Sequence, residues 1–136
     1  MRPPPIPIRH PVSYFFDKIR ESVETTMQLP NRLQAYIPSE KLSAYLLSET
    51  HAVGKAKATF FRALGFNEST MHLLEHGLLT LAHSAPVQEV VPSPHGVKYV
   101  IEGVVATPRG TAPRICTVWI LETGETTPRF VTAYPA

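Results

Sequence analysis

A chain of 136 residues with 43% hydrophobic and 18% charged residues is long enough for one cored domain and too apolar to be wholly disordered. A net charge of +2 argues against a protein that holds nucleic acid by bulk charge, so any polyanion must meet a local patch. The single cysteine, Cys116, excludes an internal disulfide and a multi-cysteine metal site, and no apolar run has membrane-spanning length.

Residues 1–11 hold five of the 14 prolines and read as an extended, polyproline-like arm. Such a proline-broken start is not a signal-peptide pattern, so a cytoplasmic protein is expected, with export by another route left open. Residues 12–28 follow with Phe15, Phe16, Ile19, Val23 and Met27 at helical spacing and charged residues elsewhere around the wheel. We therefore divide the chain into an arm and amphipathic helix, 1–35, and a domain, 36–136.

In the domain, Ser39 is placed to cap a helix whose buried face is Leu42, Tyr45 and Leu46. Thr50 to Gly54 is a connection, and a second helix runs from about Lys55 to Leu64 with Gly65 as its C-terminal stop. Asn67 is placed to cap a third helix, 68–83, with Met71, Leu74, Leu78 and Leu81 as its stripe. After Pro86 the period changes to that of strands: 87–91, 97–105, 114–121 and 128–134, with turns at Pro92–Gly96, Pro108–Gly110 and Thr123–Gly124. Short turns between consecutive strands predict an antiparallel meander. The fold class expected is α+β, with two or three N-terminal helices packed on a four-stranded antiparallel sheet.

The densest chemistry lies in His51-Ala-Val-Gly-Lys-Ala-Lys57, at the start of the second helix. One imidazole and two ammonium groups fall within this short run, and no carboxylate lies between Glu49 and Glu68. Helix starts favour anions, because their first amides are unpaired and the backbone dipole adds positive charge. The competing reading is an ordinary solvated Lys-rich surface.

The stretch from about Tyr36 to Pro135 resembles an uncharacterised bacterial domain family. The features carrying the resemblance are Ile37-Pro-Ser-Glu-Lys-Leu-Ser-Ala-Tyr, the His51–Phe66 segment, His95-Gly-Val-Lys-Tyr99 with Glu102-Gly103, Thr117-Val-Trp-Ile120 and Pro128-Arg-Phe-Val-Thr-Ala-Tyr-Pro135. Domains of this family look like those at the ends of large adhesin-type toxins and in small two-gene modules. Their helices-then-meander order is similar to the ribonuclease toxins of the barnase, colicin and RelE-like group. The family itself carries no established activity to transfer; it is the analogy of fold that implies a toxin domain acting on RNA, with a neutralising antitoxin or inhibitor protein as partner.

Metal-free RNA cleavage needs a proton-transfer group, cations for the phosphate, and hydrogen-bond donors for the transition state. His51 is the candidate for proton transfer. Lys55, Lys57 and Arg129 are candidates for the phosphate, Arg129 by its planar fork. Thr132 completes the candidate catalytic set. Lys98, Tyr99, Thr117 and Tyr134 are candidate substrate contacts. No cofactor and no metal is called for. A non-catalytic protein-interaction module is the alternative. His72-Leu-Leu-Glu75-His76 fits an inverted zinc-peptidase pattern, but such a site needs a distant acidic ligand, and strands follow where it should lie. Trp119 and Cys116 are read as core residues.

Overall fold

The computed structural model describes residues 27–47 and 55–136, the Tyr45 side chain excepted. The proline-rich arm, the amphipathic segment up to residue 26, and His51 with most of its connection lie outside the described residues.

The first described residues already belong to the core. Leu29 is buried, and a 3-10 turn, Arg32–Gln34, brings Ala35 and Ile37 in beside it. Arg32 Nε donates to the carbonyl of His83 at 2.8 Å, which places a cation at a helix C-terminus, where unpaired carbonyls favour it. A short helix, α1 (Ser39–Lys41), continues as a π-helical turn, Leu42–Leu46. Pro38, not Ser39, occupies the position before that helix. Its fixed φ ends the extended link, and Ser39 is already in the first turn. Leu42, Leu46 and Leu47 are buried.

Helix α2 (Lys55–Ala63) buries Ala58 and Phe61. It ends in a Schellman motif: Phe66 N–H donates to the Phe61 carbonyl at 3.2 Å and Gly65 N–H to the Arg62 carbonyl at 3.0 Å. Gly65 has φ 101°, a left-handed conformation that suits glycine. The rings of Phe61 and Phe66 meet across the motif, 6.5 Å between centroids. Arg62 then fixes the helix end. Its Nε donates to the Leu47 carbonyl at 2.8 Å, and its two terminal nitrogens reach Glu68 at 3.3 and 2.6 Å.

Asn67 does not cap the next helix directly. Its side-chain oxygen accepts from Ser69 N–H and Thr70 N–H, while Thr70 Oγ1 accepts from Asn67 N–H. These local bonds close a separate turn, so α3 (Met71–Ser84) starts three residues later than an Asn67 cap implies. Leu74, Leu78, Leu81 and Ala82 form its buried stripe. Gly77 lets it approach the sheet: a Cβ there would lie 2.7 Å from Val105 Cγ1.

The strands are β1 (Val87–Ser93), β2 (Gly96–Val104), β3 (Arg114–Glu122) and β4 (Arg129–Pro135), and they pair as an antiparallel meander in chain order. Tyr36 adds a one-residue parallel bridge beside Arg129 at the β4 edge. Helices therefore precede a four-stranded antiparallel sheet, and the fold is α+β. Helix α3 packs on β2, and α2 packs on β4. One face of the sheet supplies the core beneath them: Val87, Tyr99, Ile101, Ile115, Trp119, Phe130 and Ala133 join the helical leucines and phenylalanines in one cluster. No described helix is long and apolar enough to cross a membrane.

Candidate functional site

Strand register decides which face each candidate group occupies, because side chains alternate. Ile101 pairs with Thr117, and Tyr99 with Trp119. Thr117 in turn pairs with Ala133. These residues point at the helices. Lys98 pairs with Ile120, and Ile120 with Arg129; Val100 pairs with Val118, and Val118 with Thr132; Cys116 pairs with Tyr134. These residues point away from the helices, onto what we call the outer face. A bulge at Val131, between the pairs Val118–Thr132 and Trp119–Phe130, keeps Phe130 and Ala133 both in the core.

The structure thus separates the nine sequence candidates. Thr117 is fully buried in the core, where its Oγ1 donates to the Ile101 carbonyl and accepts from Trp119 Nε1, each at 2.8 Å. Its hydroxyl is spent on holding the tryptophan. Tyr99 is also buried on the helix side, and burial raises its phenol pKa. Lys55 is exposed and Lys57 half-buried in the helical layer. His51 lies outside the described residues. Lys98, Arg129, Thr132 and Tyr134 are brought together on the outer face.

Each of these four has a distinct environment. Arg129 Nε is held by Glu122 Oε1 at 3.3 Å, and neither terminal nitrogen has a partner among the described residues. The fork is positioned by one carboxylate and keeps donors to spare. Lys98, half-buried, has no hydrogen bond or ion pair among the described residues. One row separates it from Arg129, with Ile120 between, so the two strands' Cα atoms stand about 10 Å apart. Thr132 Oγ1 is buried and has no hydrogen-bond partner among the described residues, an uncommon state for a buried hydroxyl. The Tyr134 phenol is pushed above its ordinary pKa, first by a hydrogen bond with Cys116, then by burial, the thiol's charge and the Glu89 and Glu102 carboxylates. It is therefore a neutral donor at physiological pH.

The face carries carboxylates that sequence reasoning did not weigh. Glu102 pairs with Arg114 at 3.2 Å and Glu122 with Arg129, while Glu89 adds a third acidic group near Tyr134. Strand alternation alone marks Glu102 as lying on the same face as Lys98. On α3, His72 and His76 are exposed, and no cluster of three His, Cys, Asp or Glu side chains forms among the described residues.

Comparisons with known proteins agree with this architecture. The family described as "Domain of unknown function (DUF6883)" matches residues 28–136, and the chain belongs to that family. Among solved structures, it is similar to a chain of the "Contact-dependent growth inhibition toxin - immunity protein complex from Klebsiella pneumoniae 342". The TM-score is 0.60 at 13% identity, with 79% of this chain and 97% of that chain covered. At that identity the likeness is one of fold. No curated protein matches the chain.

Proposed function

We propose that this protein is a toxin domain that cleaves RNA phosphodiester bonds without a metal, at the β4 margin of the outer sheet face. The carrying observation is that Lys98, Arg129, Thr132 and Tyr134 share one face, where the two terminal nitrogens of Arg129, the Lys98 ammonium and the Thr132 hydroxyl have no partner among the described residues. The fold shared with a chain of a toxin–immunity complex supports the toxin setting.

In this reading an RNA strand lies along the β4 edge, between the outer-face groups and the lysines of α2, the helix that packs on β4. The ribose 2′-hydroxyl gives its proton to His51 and attacks the adjacent phosphorus. The P–O5′ bond breaks as the new 2′-O–P bond forms, the 5′-oxygen takes its proton from a solvent water, whose hydroxide the protonated His51 neutralises, and a 2′,3′-cyclic phosphate end remains. Arg129, Lys98, Lys55 and Lys57 offset the charge that builds on the phosphoryl oxygens, and Thr132 and Tyr134 donate hydrogen bonds to them. RNA as substrate makes the cytoplasm the place of action, and a neutralising protein is the expected partner of the producing cell.

The test is degradation of total RNA by the purified chain in excess EDTA. His51→Ala should slow it by about 10²–10⁴, the range for losing a proton-transfer group, with the melting temperature nearly unchanged. Absence of cleavage on every RNA tried, together with harmless overproduction in cells, would replace this reading with a protein-binding one. That second reading is favoured by the exposed Val91, Val104 and Tyr134 around the same face, since apolar centres with charged rims are typical of protein interfaces.

A further inference from the structure

Arg129 has a second neighbour in the sheet. Tyr36 pairs with it in a parallel bridge, on the edge of β4 that faces away from β3. The Tyr36 N–H donates to the Pro128 carbonyl at 3.1 Å, and the Tyr36 carbonyl accepts the Phe130 N–H at 3.0 Å. Paired residues on adjacent strands lie on the same face, so Tyr36 extends the row Lys98, Ile120, Arg129 on the outer side. The alternation beside it agrees: Ala35 and Ile37 are buried in the core cluster, and Tyr36 between them is 45% exposed. Its side chain makes no hydrogen bond or ring contact among the described residues. An exposed ring on a pinned backbone thus stands one strand spacing, about 5 Å between Cα atoms, from Arg129. Glu122 reaches only Nε of that guanidinium.

We propose that Tyr36 is a base-stacking subsite for single-stranded RNA, with Arg129 on the phosphate beside the stacked base; the choice of RNA rests on the ribonuclease reading. Single strands bind where cations track the backbone and aromatic rings offer a face to the bases. The row supplies both kinds of group: two cations, Lys98 and Arg129, and one exposed ring at its open end. It contains no carboxylate of its own, which suits a polyanion better than a protein surface of mixed charge. Every base has a π-face, and stacking needs no hydrogen bond from the phenol, so the subsite carries affinity and not sequence choice. Its position also fits the β4 margin, because Tyr36 lies at the outermost place in the row.

The probe is a short fluorescein-labelled RNA strand with 2′-O-methyl riboses, which leave no hydroxyl to attack. Its binding to the full chain is read by fluorescence anisotropy at fixed salt. Tyr36→Leu, which keeps an apolar side chain, should weaken binding about 5- to 150-fold, the loss of one stacked base. Tyr36→Phe keeps the ring and should bind within about twofold of wild type. A strand of the same length with abasic sugars removes the contact from the ligand's side, and wild type and Tyr36→Leu should hold it equally. Wild type should itself prefer the base-bearing strand by at least the same factor, a comparison that needs no variant. Unchanged binding in Tyr36→Leu, or an equal loss on the abasic strand, overturns the proposal. So does failure of the wild type to bind the strand, which leaves Tyr36 and Arg129 as anchors for a protein partner. The strand is not cleavable, so the two readings fail separately. Ring-dependent binding without cleavage of ordinary RNA sinks the ribonuclease alone; cleavage by wild type with undiminished binding in Tyr36→Leu sinks the subsite alone.

Discussion

The two faces of the sheet are built from the same strands and do opposite things. On the helix side, the buried threonine is fully used. Thr117 gives its hydroxyl to Ile101 and receives the Trp119 N–H, and Trp119 meets Phe130 edge to face at 5.3 Å. On the outer side, among the described residues, the Thr132 hydroxyl has no partner and the Arg129 fork is only partly used. Two threonines on neighbouring strands thus carry the contrast. One is a structural strut; the other is a buried hydroxyl with no hydrogen-bond partner among the described residues.

The largest expected effect comes from emptying the helix side. Trp119→Ala should cost about 3–5 kcal/mol in urea denaturation, because a fully buried aromatic leaves a cavity. Thr117→Val should cost about 1–3 kcal/mol, since it strands the buried indole N–H and the Ile101 carbonyl. Thr132→Val removes the same atom on the other face and should change stability by no more than about 1 kcal/mol, in either direction. In the ribonuclease reading it should also lower the cleavage rate by about 10²–10³, as for loss of a transition-state donor. A Thr132→Val protein that cleaves RNA normally, or that loses as much stability as Thr117→Val, would erase the distinction between the faces.

The smallest effect concerns pH. The Arg62 hydrogen bonds hold the Glu68 carboxyl below its ordinary value. A depressed carboxylate pKa adds stability above the unfolded value, near 4.5, and that contribution is lost as pH falls through the folded value. Glu68 is solvent-exposed, so the effect is small. Comparing wild type with Glu68→Gln across pH 3–6 should show the two stability curves converging at the acid end. At the alkaline end, the raised Tyr134 pKa works the other way. Stability is unaffected below pH 10 and falls as pH rises beyond it, an outer-face effect that Tyr134→Phe should remove.

How much of this was legible beforehand follows from which signals are local. The change of period at Pro86, the Gly65 stop and the stripe Leu74, Leu78, Leu81 are local, and all three appear in the structure. The Asn67–Thr70 turn was missed because Asn67 uses its side chain one turn early, and sequence cannot distinguish that turn from a cap. The faces were the larger omission. Thr117 and Thr132 looked like equivalent hydroxyls on adjacent strands, and only the pairing of Thr117 with Ala133 and Val118 with Thr132 sends them to opposite sides. Bulges at Gln88 and Val131 shift that parity and leave no signature in composition. Tyr99 lies on the helix side, apart from Lys98, whereas the alternation of Thr132 and Tyr134 along one strand placed that pair together. Cys116 was read as core; it is buried, on the face away from the core.

Strand β3 holds both of the molecule's unique spectroscopic side chains, its lone thiol at 116 and its lone indole at 119. An odd spacing sends them to opposite sides of a single layer. Thiol accessibility therefore follows events above the sheet, and indole emission follows events below it, without any label being introduced. A loosening restricted to one layer can be distinguished from collapse of the whole molecule in one cuvette, using only native atoms.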